Sequence, residues 1–158
     1  LIDNGMPCVI IRASDFGFTG QESRDQLELN TKVKSEIESI RLQAGSLMEL
    51  GNVTQKSVPK MTLISEPFNG GSLNTRSFIP HRAHASIGVF AAITVATACA
   101  IPNTVAASLA QMPNNCIYEI EHPSGCTKVR LELDDNGVIK RTGIIRTARK
   151  LMEGTVYA

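Results

Sequence analysis

From Ala83 to Tyr118 the chain contains no Asp, Glu, Lys or Arg. A helix drawn through the apolar part of that run, Val89 to Ile101, has no solvated face, so other structure must wrap it on all sides. Directly before it stands Pro80-His81-Arg82-Ala83-His84-Ala85-Ser86-Ile87-Gly88, a cluster of cationic and polar residues. That order puts positive charge and free backbone N–H groups at the mouth of a buried helix, a place suited to a carboxylate. Ser86 is the expected N-cap or first-turn residue, with the amides of Ile87 and Gly88 beside it. Gly88 is costly inside a helix, which suggests close approach by a ligand or by another backbone. A purely structural reading stands beside this one: Ser86 caps, Gly88 packs, and Arg82 pairs with a carboxylate on a neighbouring strand.

The remaining pattern is α+β. The short apolar run at residues 7 to 13 reads as a covered strand, entered from a turn at Asn4-Gly5-Met6-Pro7. The Asn side chain and Gly backbone of that turn can present donors to a ligand, or serve the turn alone. Residues 20 to 30 are polar and predict a short exposed helix. Val33, Ile37, Ile40, Ala44 and Met48 then recur at helical spacing with charged residues between them, an amphipathic helix stopped at Gly51-Asn52. Strands are expected at 60 to 66 and 75 to 79 around the Asn69-Gly70-Gly71 turn. Three more follow at 116 to 121, 127 to 133 and 138 to 146. The architecture expected is a curved antiparallel or mixed sheet around the 86 to 101 helix, with an extra helical segment near 20 to 50, in a single domain spanning 1 to 158.

Composition narrows the partners. Sixteen Lys and Arg against fifteen Asp and Glu, with no basic run and 4% aromatics, leave no footprint for nucleic acid. Pro102 and Pro113 break the uncharged stretch well short of the roughly 20 residues that span a bilayer, so a soluble, cytoplasmic protein is expected. Cys8, Cys99, Cys116 and Cys126 form no CxxC pair and are expected to be reduced and mostly buried. His81 and His84 supply too few ligands for a metal. No nucleophile-elbow, HExxH or phosphate-loop motif is present, so the residues point to an anion pocket without a proton shuttle.

Five stretches carry a resemblance: Asp3-Asn4-Gly5-Met6-Pro7, Ile40-Arg41-Leu42-Gln43-Ala44-Gly45, Pro80-His81-Arg82-Ala83-His84-Ala85, His122-Pro123-Ser124-Gly125, and Arg146-Thr147-Ala148-Arg149-Lys150-Leu151-Met152-Glu153-Gly154. Together they resemble the C-terminal half of the cofactor-independent aconitate and methylaconitate isomerases, a family that includes methylitaconate Δ-isomerase and 4-oxalomesaconate tautomerase. The resemblance implies a diaminopimelate-epimerase-like fold of two similar domains with the active site between them. It implies that the proton-moving Cys and Lys lie in an N-terminal domain absent from this chain, leaving no catalytic residue, metal or cofactor here. The expected binding residues are Asn4, Gly5, Met6, His81, Arg82, Ser86, Ile87 and Gly88, with Arg146 a weaker candidate. The expected partners are a small unsaturated di- or tricarboxylate, the N-terminal domain and a second copy in a homodimer. A chain that begins at Leu1, in what reads as the end of a strand, fits a fragment. The competing expectation is a non-catalytic ligand-binding or dimerising module.

Overall fold

The buried helix is the axis about which the rest of the chain is arranged. In a computed structural model that describes residues 1–157, this helix, α3, runs Val89–Ala100 and is buried from Ala91 through Cys99. Around it curls one seven-stranded sheet: β1 Ile2–Asp3, β2 Pro7–Arg12, β3 Lys60–Ser65, β4 Leu73–Phe78, β5 Ile117–His122, β6 Gly125–Leu133 and β7 Ile139–Ile145. The strands lie side by side in chain order. Pairs β2/β3 and β4/β5 are parallel and the others antiparallel. A parallel pair needs a crossover rather than a tight turn. The two crossovers are where the helices sit: α1 (Arg24–Leu29) and α2 (Thr31–Leu47) between β2 and β3, and α3 between β4 and β5.

Strand alternation divides the apolar side chains between two cores. Cys8 and Ile10 of β2, Ile64 of β3, Leu73 of β4 and Ile120 of β5 pack with α3. Val9 of β2, Met61 and Leu63 of β3 and Phe78 of β4 pack instead with Leu27, Val33, Ile37 and Ala44 of α1 and α2. The early helices therefore cover the outer face of the sheet while α3 fills the inner one. Asn30 ends α1 and also starts α2, its side-chain Oδ1 accepting from the Val33 amide at 3.1 Å.

The central strand β4 is polar yet buried along its whole length. Its side chains bond neighbouring backbone: Asn74 Nδ2 donates to the Gly20 carbonyl at 2.7 Å, Thr75 Oγ1 to the Glu121 carbonyl at 2.6 Å and Arg76 Nε to the Glu22 carbonyl at 2.7 Å. Each buried polar group is thereby paired, the condition under which burial is tolerated. The strand starts at Leu73, two residues before its expected start. Among the described residues no helix is long and apolar enough to cross a membrane.

Two expectations are corrected. Ser86 does not cap α3: the cap is Gly88, in extended conformation and with no side-chain cap bond, and the helix starts at Val89 rather than at 86. The thiols are not mostly buried either, since Cys8 and Cys99 are interior but Cys116 and Cys126 are exposed. The latter two lie at the entry to β5 and near the β5–β6 turn, where alternate positions face solvent.

Candidate active site

A helix capped by glycine offers its first amides to whatever lies in front of it. The first intrahelical bond of α3 runs from the Ala92 amide to the Gly88 carbonyl at 2.8 Å, so the amides of Val89, Phe90 and Ala91 have no intrahelical partner. These three residues line a cavity of about 160 Å³ together with Met6, Lys60, Ser77, Ile79 and Gly88, and its wall is almost wholly apolar. Lys60 is the charged residue among them. Burial is the main influence on it and holds its pKa below the ordinary 10.5, with the nearby Arg41 acting the same way and Cys8 opposing. A bound carboxylate would offset that desolvation. A larger groove of about 450 Å³ lies at the other end of α3, lined by Ile2, Asp3, Ala100, Ile101 and Val138, among others. There the helix presents carbonyls and the wall adds the Asp3 carboxylate, both unfavourable to an anion.

The Asn4-Gly5-Met6 turn is stapled along α3. The Asn4 side chain donates to Thr97 Oγ1 at 2.7 Å, its amide donates to Thr94 Oγ1 at 3.3 Å, and Thr94 Oγ1 donates to the Met6 carbonyl at 3.0 Å. Gly5 takes φ +90°, and a Cβ there would stand 3.4 Å from the Phe90 ring. The turn thus delivers Met6 and Gly5 to the start of the helix, while the Asn4 side chain is engaged further along it.

The loop before α3 divides the expected set. The Ala83 amide donates to Glu28 Oε1 and the Ala83 carbonyl accepts from Arg24 Nε at 3.0 Å, so α1 grips one residue of the loop through both its backbone groups. His81 lies outside this clamp, 61% exposed, with Nδ1 3.5 Å from Glu38 Oε2 of α2. Arg82 is exposed on the same outer shoulder and makes no ion pair among the described residues. Ile87 is buried in the inner core, Gly88 lines the cavity, and Ser86 is half-buried. Arg146 follows the end of β7 and is exposed.

Two residues of this region escape sequence reasoning. Lys60 opens a strand whose parallel register sets it beside Cys8, and no local pattern signals that neighbour. His122 ends β5, with Nδ1 3.2 Å from Ser124 Oγ and Nε2 3.3 Å from Thr127 Oγ1 and 3.4 Å from Ser86 Oγ. The signal for it was its place in His122-Pro123-Ser124-Gly125. Amides and an ammonium at one helix start can hold an anionic oxygen and stabilise charge that grows on it, whereas the hydroxyls gather around His122, which borders a different pocket.

The family described as PrpF protein matches residues 1–158. This chain belongs to the PrpF protein family. Its relatives include the (4E)-oxalomesaconate Delta-isomerase of Novosphingobium sp. (strain KA1), 54% identical over 99% of this chain and 44% of the relative. The 4-oxalomesaconate tautomerase of Pseudomonas putida is 53% identical over 98% of this chain and 43% of the relative. The 3-methylitaconate isomerase of Eubacterium barkeri is 25% identical over 99% and 46%. The crystal structure of methylitaconate-delta-isomerase superposes with a TM-score of 0.79 at 23% identity, over 94% of this chain and 43% of that one, and shows a shared fold. This PrpF chain therefore spans slightly under half the length of the relatives it matches, which are isomerases of unsaturated carboxylates by name.

Proposed function

We propose that this chain is the C-terminal domain of a two-domain, cofactor-independent isomerase that moves or cis-trans isomerises a double bond in a small unsaturated di- or tricarboxylate. The observation that carries the reading is the uncapped start of α3, facing a cavity with Lys60 on its wall. A base on the other domain removes an allylic proton, and the electron pair spreads through the double bond onto a carboxylate or carbonyl oxygen. Reprotonation at the far carbon completes the shift. The amides of Val89, Phe90 and Ala91, with Lys60, hold the oxygen that gains charge, and are aligned before the reaction begins. Met6, Gly5, Ser86 and Gly88 shape this half of the pocket. His81 and Arg82, both on the outer shoulder, serve the loop or the facing domain.

Identities of 54% and 53% to oxalomesaconate isomerases, against 25% to the methylitaconate enzyme, make oxalomesaconate the first substrate to test. The full-length polypeptide is expected to shift its double bond, followed by NMR of substrate and product. This chain alone is expected to be inactive and to gain activity when mixed with the N-terminal half. Inertness of the full-length protein towards oxalomesaconate, methylaconitate and methylitaconate alike would refute the reading. The non-catalytic alternative draws on exposed Phe90 and Val89 at the helix mouth, surface suited to a second domain or a second copy. It predicts binding of these acids, or self-association, with no turnover even after the halves are mixed.

A further inference from the structure

Two buried hydroxyls meet on the sheet face that α3 covers. Thr62 of β3 and Ser77 of β4 are register partners, and strand alternation puts them on the side that Ile64 and Leu73 turn to the helix. Thr62 is wholly buried and Ser77 is 4% exposed. Their oxygens lie 3.4 Å apart, and neither hydroxyl has another hydrogen-bond partner among the described residues. That separation is longer than the ordinary hydroxyl bond of about 2.8 Å. Neighbouring hydroxyls are placed differently: Thr94 donates to the Met6 carbonyl at 3.0 Å and Thr75 to the Glu121 carbonyl at 2.6 Å.

Two hydroxyls bring two protons, and one mutual bond uses only one of them. If Ser77 donates to Thr62, the surplus proton is shut inside the sheet, where an unmet donor is costly. If Thr62 donates to Ser77, the surplus proton is on Ser77, which lines the cavity of about 160 Å³ at the α3 mouth. This second arrangement leaves no donor stranded once an acceptor enters the cavity. Met6, Ile79, Phe90 and Ala91 make much of the remaining wall. In so apolar a lining, one hydroxyl decides whether an oxygen or a methyl group fits beside it.

We infer that Ser77 is a specificity-determining residue of this site: its hydroxyl donates to a substrate oxygen and favours acids that place a carboxylate or keto oxygen in the cavity over acids that place a methyl group there. This rests on the isomerase reading above and narrows the substrate class within it. Lys60 and the first amides of α3 bind a carboxylate, which all these acids possess, so they do not separate one acid from another. Ser77 does. It keeps its proton throughout and takes no part in moving the double bond. Thr62 touches no ligand and is a positioning residue: the bond it donates turns the Ser77 proton outward and polarises it.

The test uses the full-length protein and compares oxalomesaconate with 3-methylitaconate, each as a substrate by kcat/KM and methylitaconate also as a competing ligand by Ki. Ser77→Ala is expected to lower kcat/KM for oxalomesaconate about 10- to 100-fold, the range of one hydrogen bond to a charged oxygen. It should leave the Ki of methylitaconate unchanged or tighter. Thr62→Val should shift the balance between the two acids in the same direction by a smaller factor, and the double variant should be no worse than Ser77→Ala alone. A serine that only packs would not move one acid against the other. Equal effects on both acids, or no effect on either, overturn the inference and leave the isomerase reading intact. A wild type inert towards oxalomesaconate, methylaconitate and methylitaconate overturns that reading and this inference with it. If Ser77→Ala fails to fold, Ser77→Cys, a weaker donor of similar shape, takes its place beside Thr62→Val, and an unchanged balance in both overturns the inference.

Discussion

Arg41 is wholly buried in α2, and the carboxylate of Glu38 meets its guanidinium in a two-point bond, Nε to Oε2 at 2.7 Å and Nη2 to Oε1 at 2.8 Å. The remaining nitrogen, Nη1, donates to the carbonyls of Val53, Lys56 and Val58. One side chain thereby fastens α2 to the loop that delivers β3 and, with it, Lys60. Arg41→Ala is expected to cost about 3 to 5 kcal/mol, because it strands a carboxylate and three carbonyls. Arg41→Lys should recover only part of this, lacking the planar fork. Urea unfolding of the two variants against the wild type checks both values.

Acid should loosen the clamp on the loop before α3. The hydrogen bond from Lys34 is the main reason Glu28 titrates below the usual 4.5, assisted by the Ala83 amide, and Glu38 is lowered chiefly by Arg41. A carboxyl with a depressed folded pKa contributes stability that is complete above 4.5 and is lost as pH falls through the folded value. The unfolding free energy of the wild type should therefore fall below pH 4.5. Glu28→Gln should be less stable at pH 7 and show a shallower acid decline in pH-dependent thermal melts.

Thiol chemistry should separate the cysteines into two pairs. Burial pushes Cys8 and Cys99 up to about 12, whereas Cys116 and Cys126 are exposed. Under native conditions a maleimide should label Cys116 and Cys126 and leave the other two until denaturant is added. Burial, followed by Glu119, raises Cys126, so Glu119→Gln should speed its labelling. Mass spectrometry of peptides over time measures both effects.

Substrate affinity should follow Lys60. In the full-length enzyme Lys60→Met is expected to raise KM roughly 10- to 100-fold, the range of one hydrogen bond to a charged group, with a smaller change at Arg82→Ala. A larger effect at Arg82 than at Lys60 would return the binding role to the loop.

The turns and the helix faces were legible in the residues. Asn69-Gly70-Gly71 and Pro123-Ser124-Gly125 separate the strands where expected, and the spacing from Val33 to Ala44 places α2 with its apolar face inward. Strand partners were not legible, because two of the pairings are parallel and joined through helices. That is why Lys60 went unremarked. Ser86 was misread for a physical reason: serine favours helix caps in general, but this hydroxyl is turned to His122 and leaves the cap to Gly88. The motif Ile40-Arg41-Leu42-Gln43-Ala44-Gly45 carried the resemblance, yet its contents are architectural. Arg41 makes the lock described above, and Gly45 lets Val53 approach so closely that a Cβ would stand 2.4 Å from a Val53 methyl.

The lateral order of the strands, identical to their order along the chain, bears on how the polypeptide reaches this state. Each new strand can dock beside one already laid down, so no strand has to be threaded between two others. The β5-β6-β7 meander closes through short loops and is cheap in chain entropy, whereas β3 and β5 must each wait for a helical crossover to collapse. Hydrogen-exchange pulse labelling during refolding should therefore see amides of β6 and β7 protected before those that join β2 to β3.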